Sequence, residues 1–171
     1  MKIARYGLIC SERLLHAKSC KFRSKTRKDY NEMKSRFNYI IAHRYHHQKR
    51  YKEALNFYNV SIALYPNNFE AQFGLGQIHL SQRNWDSAYP CFNYIVIHCK
   101  KIESGECFKI LAYLSSKLKK KEQACEYYEK ALGFNSNDYE SMIEYASLME
   151  TMDPSNALTR KFDKYLMAQK E

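Results

Sequence analysis

The sequence predicts an all-α chain of antiparallel helix pairs stacked into a superhelical solenoid, and three observations carry that reading. Small and aromatic residues recur at a period near 34: Ala54 is matched by Ala88, Tyr58 by Phe92, and Ala124 with Tyr128 repeats the pair. Upstream of each pair lies a second helix-period pattern: Phe37, Ile40, Ile41, Arg44 and Tyr45, then Phe73, Leu75, Gly76 and His79, then Phe108, Leu111, Ala112 and Ser115. No stretch alternates apolar and polar residues as a half-buried strand does, and five Gly and three Pro leave little punctuation besides hairpin turns.

Taken in order, residues 1–34 read as a basic N-terminal helical segment, with a single helix over 6–20, followed by a linker. Four units follow, at 35–68, 69–104, 105–138 and a divergent 139–171. Their eighth residues are Ala42, Gly76, Ala112 and Ala146, all small, as a close crossing of two helices requires. Ala54, Ala88 and Ala124 supply the facing small residue. Tyr58, Phe92 and Tyr128 come one turn later, where a ring fills the gap between successive units. These units resemble the 34-residue tetratricopeptide repeat, which places small residues, Ala, an aromatic and a closing Pro at these positions. The second unit is overlong and lacks the closing Pro, and Pro90 is expected to kink its second helix or delay its start. In the fourth, Asp153-Pro154 reads as a helix start, and Leu158, Phe162, Tyr165 and Leu166 as one apolar stripe. Polar-faced caps are missing at both ends, which suggests a piece of a longer array.

The chain of 171 residues carries a formal charge of +10. Residues 1–28 hold nine bases and one acid, which is +8; residues 29–171 hold 19 bases and 17 acids, which is +2. The repeats therefore offer no field for nucleic acid. The basic segment, with Lys21, Arg23, Lys25, Arg27 and Lys28, suits a solvated linker, an import signal, a weak nucleic-acid contact or an organellar presequence. No apolar run approaches the ~20 residues of a membrane span. Six scattered Cys without a CxxC pair point to reduced thiols in a nuclear or cytoplasmic protein.

The first helix of each unit puts its places 2, 5, 9, 12 and 13 on one face. That face gives a candidate partner groove of Arg36, Tyr39, His43, His46, His47, Phe73, Gln77, Lys109, Tyr113 and Lys117. Tyr39 and His43 stand where a carboxylate-clamping relative needs Lys and Asn, so the groove suits an extended peptide or a partner helix. His43 and His47 at i, i+4 reach toward a common ion, but Arg44 replaces the glutamate of HExxH and no third ligand follows by spacing. The imidazoles are therefore assigned to partner contact, with no metal and no cofactor. Lys117, Lys119, Lys120 and Lys121 read as a solvated corner, and Trp85 as a core or staple residue. With no phosphate-cradling Gly-rich loop, no GxSxG and no paired catalytic carboxylates, no enzymatic motif is present.

Phe73-Gly-Leu-Gly-Gln-Ile-His-Leu80 with Cys91-Phe92 resembles a distinctive repeat in the large scaffold subunit of the nuclear polymerase-associated factor complex. Glu106-Cys-Phe-Lys-Ile-Leu-Ala112, Glu140-Ser-Met-Ile-Glu-Tyr-Ala-Ser-Leu148 and Asn156-Ala-Leu158 are similar to the repeats that follow it. The resemblance covers about residues 35–160 and implies a non-enzymatic scaffold in the nucleus. Its partners would be other subunits of a transcription elongation complex, with coupling to histone modification. The alternative is a cytosolic or organellar adaptor with residues 1–28 as its address.

Overall fold

The computed structural model describes residues 27–99 and 105–152, and every regular element among them is a helix. The helix expected over 6–20, the bases Lys21, Arg23 and Lys25, and the apolar stripe of 158–166 lie outside the described residues. The chain divides into two compact units, one ending at Asn84 and one starting at Trp85.

The first unit holds α1 (Arg27–His47), α2 (Tyr51–Leu64) and α3 (Phe69–Ser81), with α1 packed on α2, α2 on α3, and α1 reaching α3. Helix α1 begins at Arg27 rather than at residue 35, so Arg27 and Lys28 form its first turn and are not linker. Ala42 and Ala54, the small pair expected at the hairpin crossing, are both fully buried, as is Tyr58. Tyr45 stacks on Phe57 with ring centroids 5.5 Å apart.

The second unit holds α4 (Trp85–His98), α5 (Glu106–Lys117), α6 (Lys121–Phe134) and α7 (Tyr139–Met152), each packed on the next. Its core gathers Ala112, Ala124, Cys125, Tyr128, Tyr145 and Leu148, with Tyr127, Leu132 and Met149 against it. Helix α4 starts at Trp85 and carries Pro90 inside it, so the late start is not found. Pro90 is the sixth residue of α4, one turn past its start, so the Asp86 carbonyl loses the donor that would close its i+4 bond, and the helix continues through it.

The turns after α1, α3 and α5 share one geometry that the sequence does not announce. Lys49, Arg83 and Lys119 adopt left-handed φ values of 58°, 58° and 60°. Each N–H bonds the carbonyl three residues back, at 2.8, 3.0 and 3.1 Å, and the next residue's N–H bonds the one five back, at 3.0, 2.9 and 2.9 Å. These are the paired bonds that satisfy the last carbonyls of a helix, and glycine usually occupies the left-handed position. Here a long base does so at a cost of about 1 kcal/mol.

Candidate functional site

Helix α1 brings its expected groove residues onto one face and joins them to rings from α2. The Tyr39 ring lies 5.7 Å from His43 and 6.3 Å from Tyr58, centroid to centroid. His43 and His47 approach with Nε2 atoms 3.1 Å apart, a hydrogen bond in which one imidazole donates and the other accepts. His46 presents Nδ1 to the Tyr58 hydroxyl at 3.4 Å and meets Tyr51 edge-on at 5.8 Å. Tyr39, His43, His46, His47, Tyr51 and Tyr58 are thus one contiguous array of rings. Arg36 is exposed and tied to Glu32 at 2.8 Å. On α3, Phe73 is half-buried and Gln77 exposed.

Burial, then the nearby Glu70 carboxylate, pushes the Tyr39 phenol up. Tyr58 is raised to about 12, by burial and then by Tyr39. Burial, then the charge His47 can carry, lowers His43; burial, then His47 and His43, lowers His46. Burial alone lowers His79, whose Nδ1 is buried without a hydrogen-bond partner. These groups dictate a pH dependence. Their folded values lie below the ordinary 6.5, so the unfolded chain binds protons first as pH falls. Stability contributed by the neutral rings is complete above about pH 6.5 and is lost as pH drops through the lowered folded values. Melting temperature is expected to fall between about pH 7.5 and 5.5, and His46→Asn to flatten that slope. A melting temperature constant over this interval would contradict the assignment.

In the second unit, α5 carries Lys109, Tyr113 and Lys117. The Lys109 ammonium is held by Asp138 at 3.0 Å and Glu140 at 2.7 Å, so its charge is already answered at the start of α7. Glu140 contributes most to raising its pKa, against burial, with Asp138 adding to the rise. Tyr113 is more than a third exposed and receives Lys117 over its ring at 4.9 Å. Trp85 meets Tyr113 edge-on at 5.8 Å, which makes the tryptophan part of this face as well as of the packing. Lys119, Lys120 and Lys121 are exposed, with Lys120 over the Tyr89 ring at 4.9 Å and Lys121 donating to the Thr151 hydroxyl. Tyr51 and Trp85 escaped the groove reading because they come from second helices, whereas helical spacing reports only neighbours on one helix; Tyr58, expected as a packing ring, is fully buried.

Among the described residues no group of three or more His, Cys, Asp or Glu side chains converges on a metal position, and no helix is long and apolar enough to cross a membrane. What the arrangement offers is rings, imidazole nitrogens and ammonium groups on helix faces, the chemistry of peptide and protein contact.

A family model described as tetratricopeptide repeat matches residues 35–68 and 110–138. The chain has the all-α tetratricopeptide-repeat fold, and repeats of this kind serve as protein–protein interaction scaffolds. The solved structure of YrrB, described as a tetratricopeptide protein with an unusual peptide-binding site, is 19% identical with a TM-score of 0.63, over 75% of this chain and 68% of that one. Among sequence relatives, the human protein O-mannosyl-transferase TMTC1 is 28% identical over 127 residues, 72% of this chain and 14% of the relative. The RNA polymerase-associated protein CTR9 of Caenorhabditis elegans is 28% identical over 145 residues, 78% of this chain and 12% of the relative. The chain therefore spans about an eighth of the length of these relatives.

Proposed function

We propose that this chain is a docking scaffold of an RNA polymerase-associated complex, holding protein partners during transcription elongation in the nucleus and coupling them to histone modification. The observation that carries this reading is the similarity to the Caenorhabditis elegans RNA polymerase-associated protein over 78% of the chain. The first unit offers the ring array of Tyr39, His43, His46 and His47 on α1, with Arg36 on the same helix and Phe73 and Gln77 on α3, and the second unit offers Tyr113 and Lys117 on α5. Lys109 contributes by fixing the start of α7 through its two carboxylates. These faces mix aromatic, imidazole and ammonium groups, which suits a peptide or helix with apolar and acidic side chains.

The test is affinity capture from nuclear extract with the 171-residue chain as bait. Subunits of a polymerase-associated elongation complex are expected. Tyr39→Ala with His43→Ala is expected to reduce their recovery on the order of tenfold, as loss of a partner-contact cluster does, without changing the helical circular dichroism. Recovery of chaperones alone would overturn the reading. Fusing residues 1–30 to a fluorescent reporter tests the basic segment: nuclear signal supports the assignment, and mitochondrial signal replaces it with an organellar adaptor.

A further inference from the structure

Helices α6 and α7 bring two methionine sulfurs against one cysteine sulfur within the second unit. Cys125 Sγ lies 3.7 Å from Met149 Sδ and 3.8 Å from Met152 Sδ. The two methionines are three residues apart on α7 and so share a face. A first-row metal–sulfur bond is about 2.3 Å. Two sulfurs sharing one ion are then separated by about 3.8 Å at a tetrahedral angle and about 4.0 Å at a trigonal one. Both separations from Cys125, 3.7 and 3.8 Å, lie close to that range, so either methionine can share an ion with the cysteine without a large movement.

We propose that Cys125, Met149 and Met152 form a binding site for a soft monovalent metal ion, with copper(I) as the ion a cell would supply. Softness decides the choice: thiolate and thioether donors favour copper(I), whereas magnesium, calcium and manganese require oxygen ligands. Charge agrees. The Cys125 thiol gives up its proton to solvent as the S–metal bond forms, and the thiolate then neutralises a monovalent ion while both thioethers stay neutral. No uncompensated charge is left at the partly buried site. Burial, then the carboxylates of Glu129 and Glu122, raise the Cys125 thiol and so oppose loss of its proton, while the same carboxylates favour a cation bound beside it. Access is provided by Met152, 40% exposed at the rim, while Cys125 is 9% exposed beneath it. The ion would clamp α6 to α7.

The reduced 171-residue chain is titrated anaerobically with copper(I) in competition with bicinchoninate, and separately with silver(I) as a redox-inert probe. The informative variant is Met149→Leu with Met152→Leu, which keeps every cysteine and nearly the same side-chain volume. Its ion-free circular dichroism and melting temperature are expected to match the parent chain. Affinity for the tightest ion is expected to fall by on the order of tenfold or more in this variant and in Cys125→Ser. One equivalent of silver(I) is expected to raise the melting temperature of the parent and not of the variants. Equal affinity in the parent and the Met149→Leu/Met152→Leu variant would place the ion on cysteines elsewhere and overturn the site. Absence of binding to the parent would reduce the three sulfurs to a packing contact.

Discussion

Asn68→Ala is expected to destabilise the first unit by about 2–4 kcal/mol, because one amide serves two separate ends there. Its Oδ1 accepts the Ala71 N–H at 3.1 Å and so caps α3. Its Nδ2 donates to the hydroxyls of Ser35 and Ser61, at 2.9 and 3.0 Å, and so ties α3 to α1 and α2. Those hydroxyls donate in turn across the helix pair, Ser35 to the Ser61 carbonyl and Ser61 to the Ser35 carbonyl, each at 2.8 Å. Each hydroxyl thus donates once to a carbonyl and accepts once from the amide. Both serines are fully buried and Asn68 is 5% exposed, so water cannot replace a lost partner. The cap accounts for about 0.5–2 kcal/mol and the two hydroxyls left without their donor for about 1–3 kcal/mol. Denaturant unfolding followed by circular dichroism measures the sum, and a change under about 0.5 kcal/mol would show that the network contributes nothing beyond packing.

The third repeat solves the same problem with other atoms, which predicts what Asn68→Asp will do. Seventy residues on from Ser35, Tyr39, Ser61, Asn68 and Ala71 stand Gly105, Lys109, Ala131, Asp138 and Ser141. Gly105 is needed there: a Cβ would come within 2.9 Å of the Ala131 carbonyl oxygen, a backbone atom that cannot rotate away. Asp138 caps α7, accepting the Ser141 N–H at 3.3 Å and the Ser141 hydroxyl at 2.8 Å. Burial would raise this carboxyl, but Ser141 and Lys109 outweigh it and hold it below the ordinary 3.8. At position 68 neither device exists, since Tyr39 replaces the lysine and Ala71 the serine. Asn68→Asp therefore keeps an acceptor for the cap but buries a carboxylate without a cation and removes both amide donors. It is expected to cost at least as much as Asn68→Ala at neutral pH.

The parts legible in the sequence were those that repeat with the helix or with the 34-residue unit. Ala42, Ala54, Ala88, Ala112 and Ala124 were read from spacing alone, and all five are fully buried. What escaped depends on contacts that no period encodes. Ser35 and Asn68 are 33 residues apart and meet only because the hairpin returns the chain. Turns at Lys49, Arg83 and Lys119 carry no glycine, so the usual marker of a helix end is missing. The candidate contact residues were legible on first helices and illegible where a second helix adds a ring, Tyr51 in the first unit and Trp85 in the second.

Gly74→Ala sets two effects of similar kind against each other, and their sizes decide the outcome. In the middle of α3, alanine should gain about 1 kcal/mol of helix propensity over glycine. A Cβ on Gly74, however, would lie 2.5 Å from both Cζ and Oη of Tyr58. That ring end is fully buried, with the hydroxyl set against His46 Nδ1 at 3.4 Å, so the ring cannot swing into open space. Overpacking of a closed core costs about 1–3 kcal/mol, and this overlap reaches well inside ordinary carbon contact, so the net effect is a loss of about 1–2 kcal/mol. The sign should reverse in a Tyr58→Leu background, where the missing ring end leaves room and only the propensity gain of up to about 1 kcal/mol remains. A double-mutant cycle by denaturant unfolding reads this directly. Additive single effects would mean that Gly74 is glycine for a reason other than the ring of Tyr58, whereas a sign change identifies the contact between α2 and α3 that fixes it.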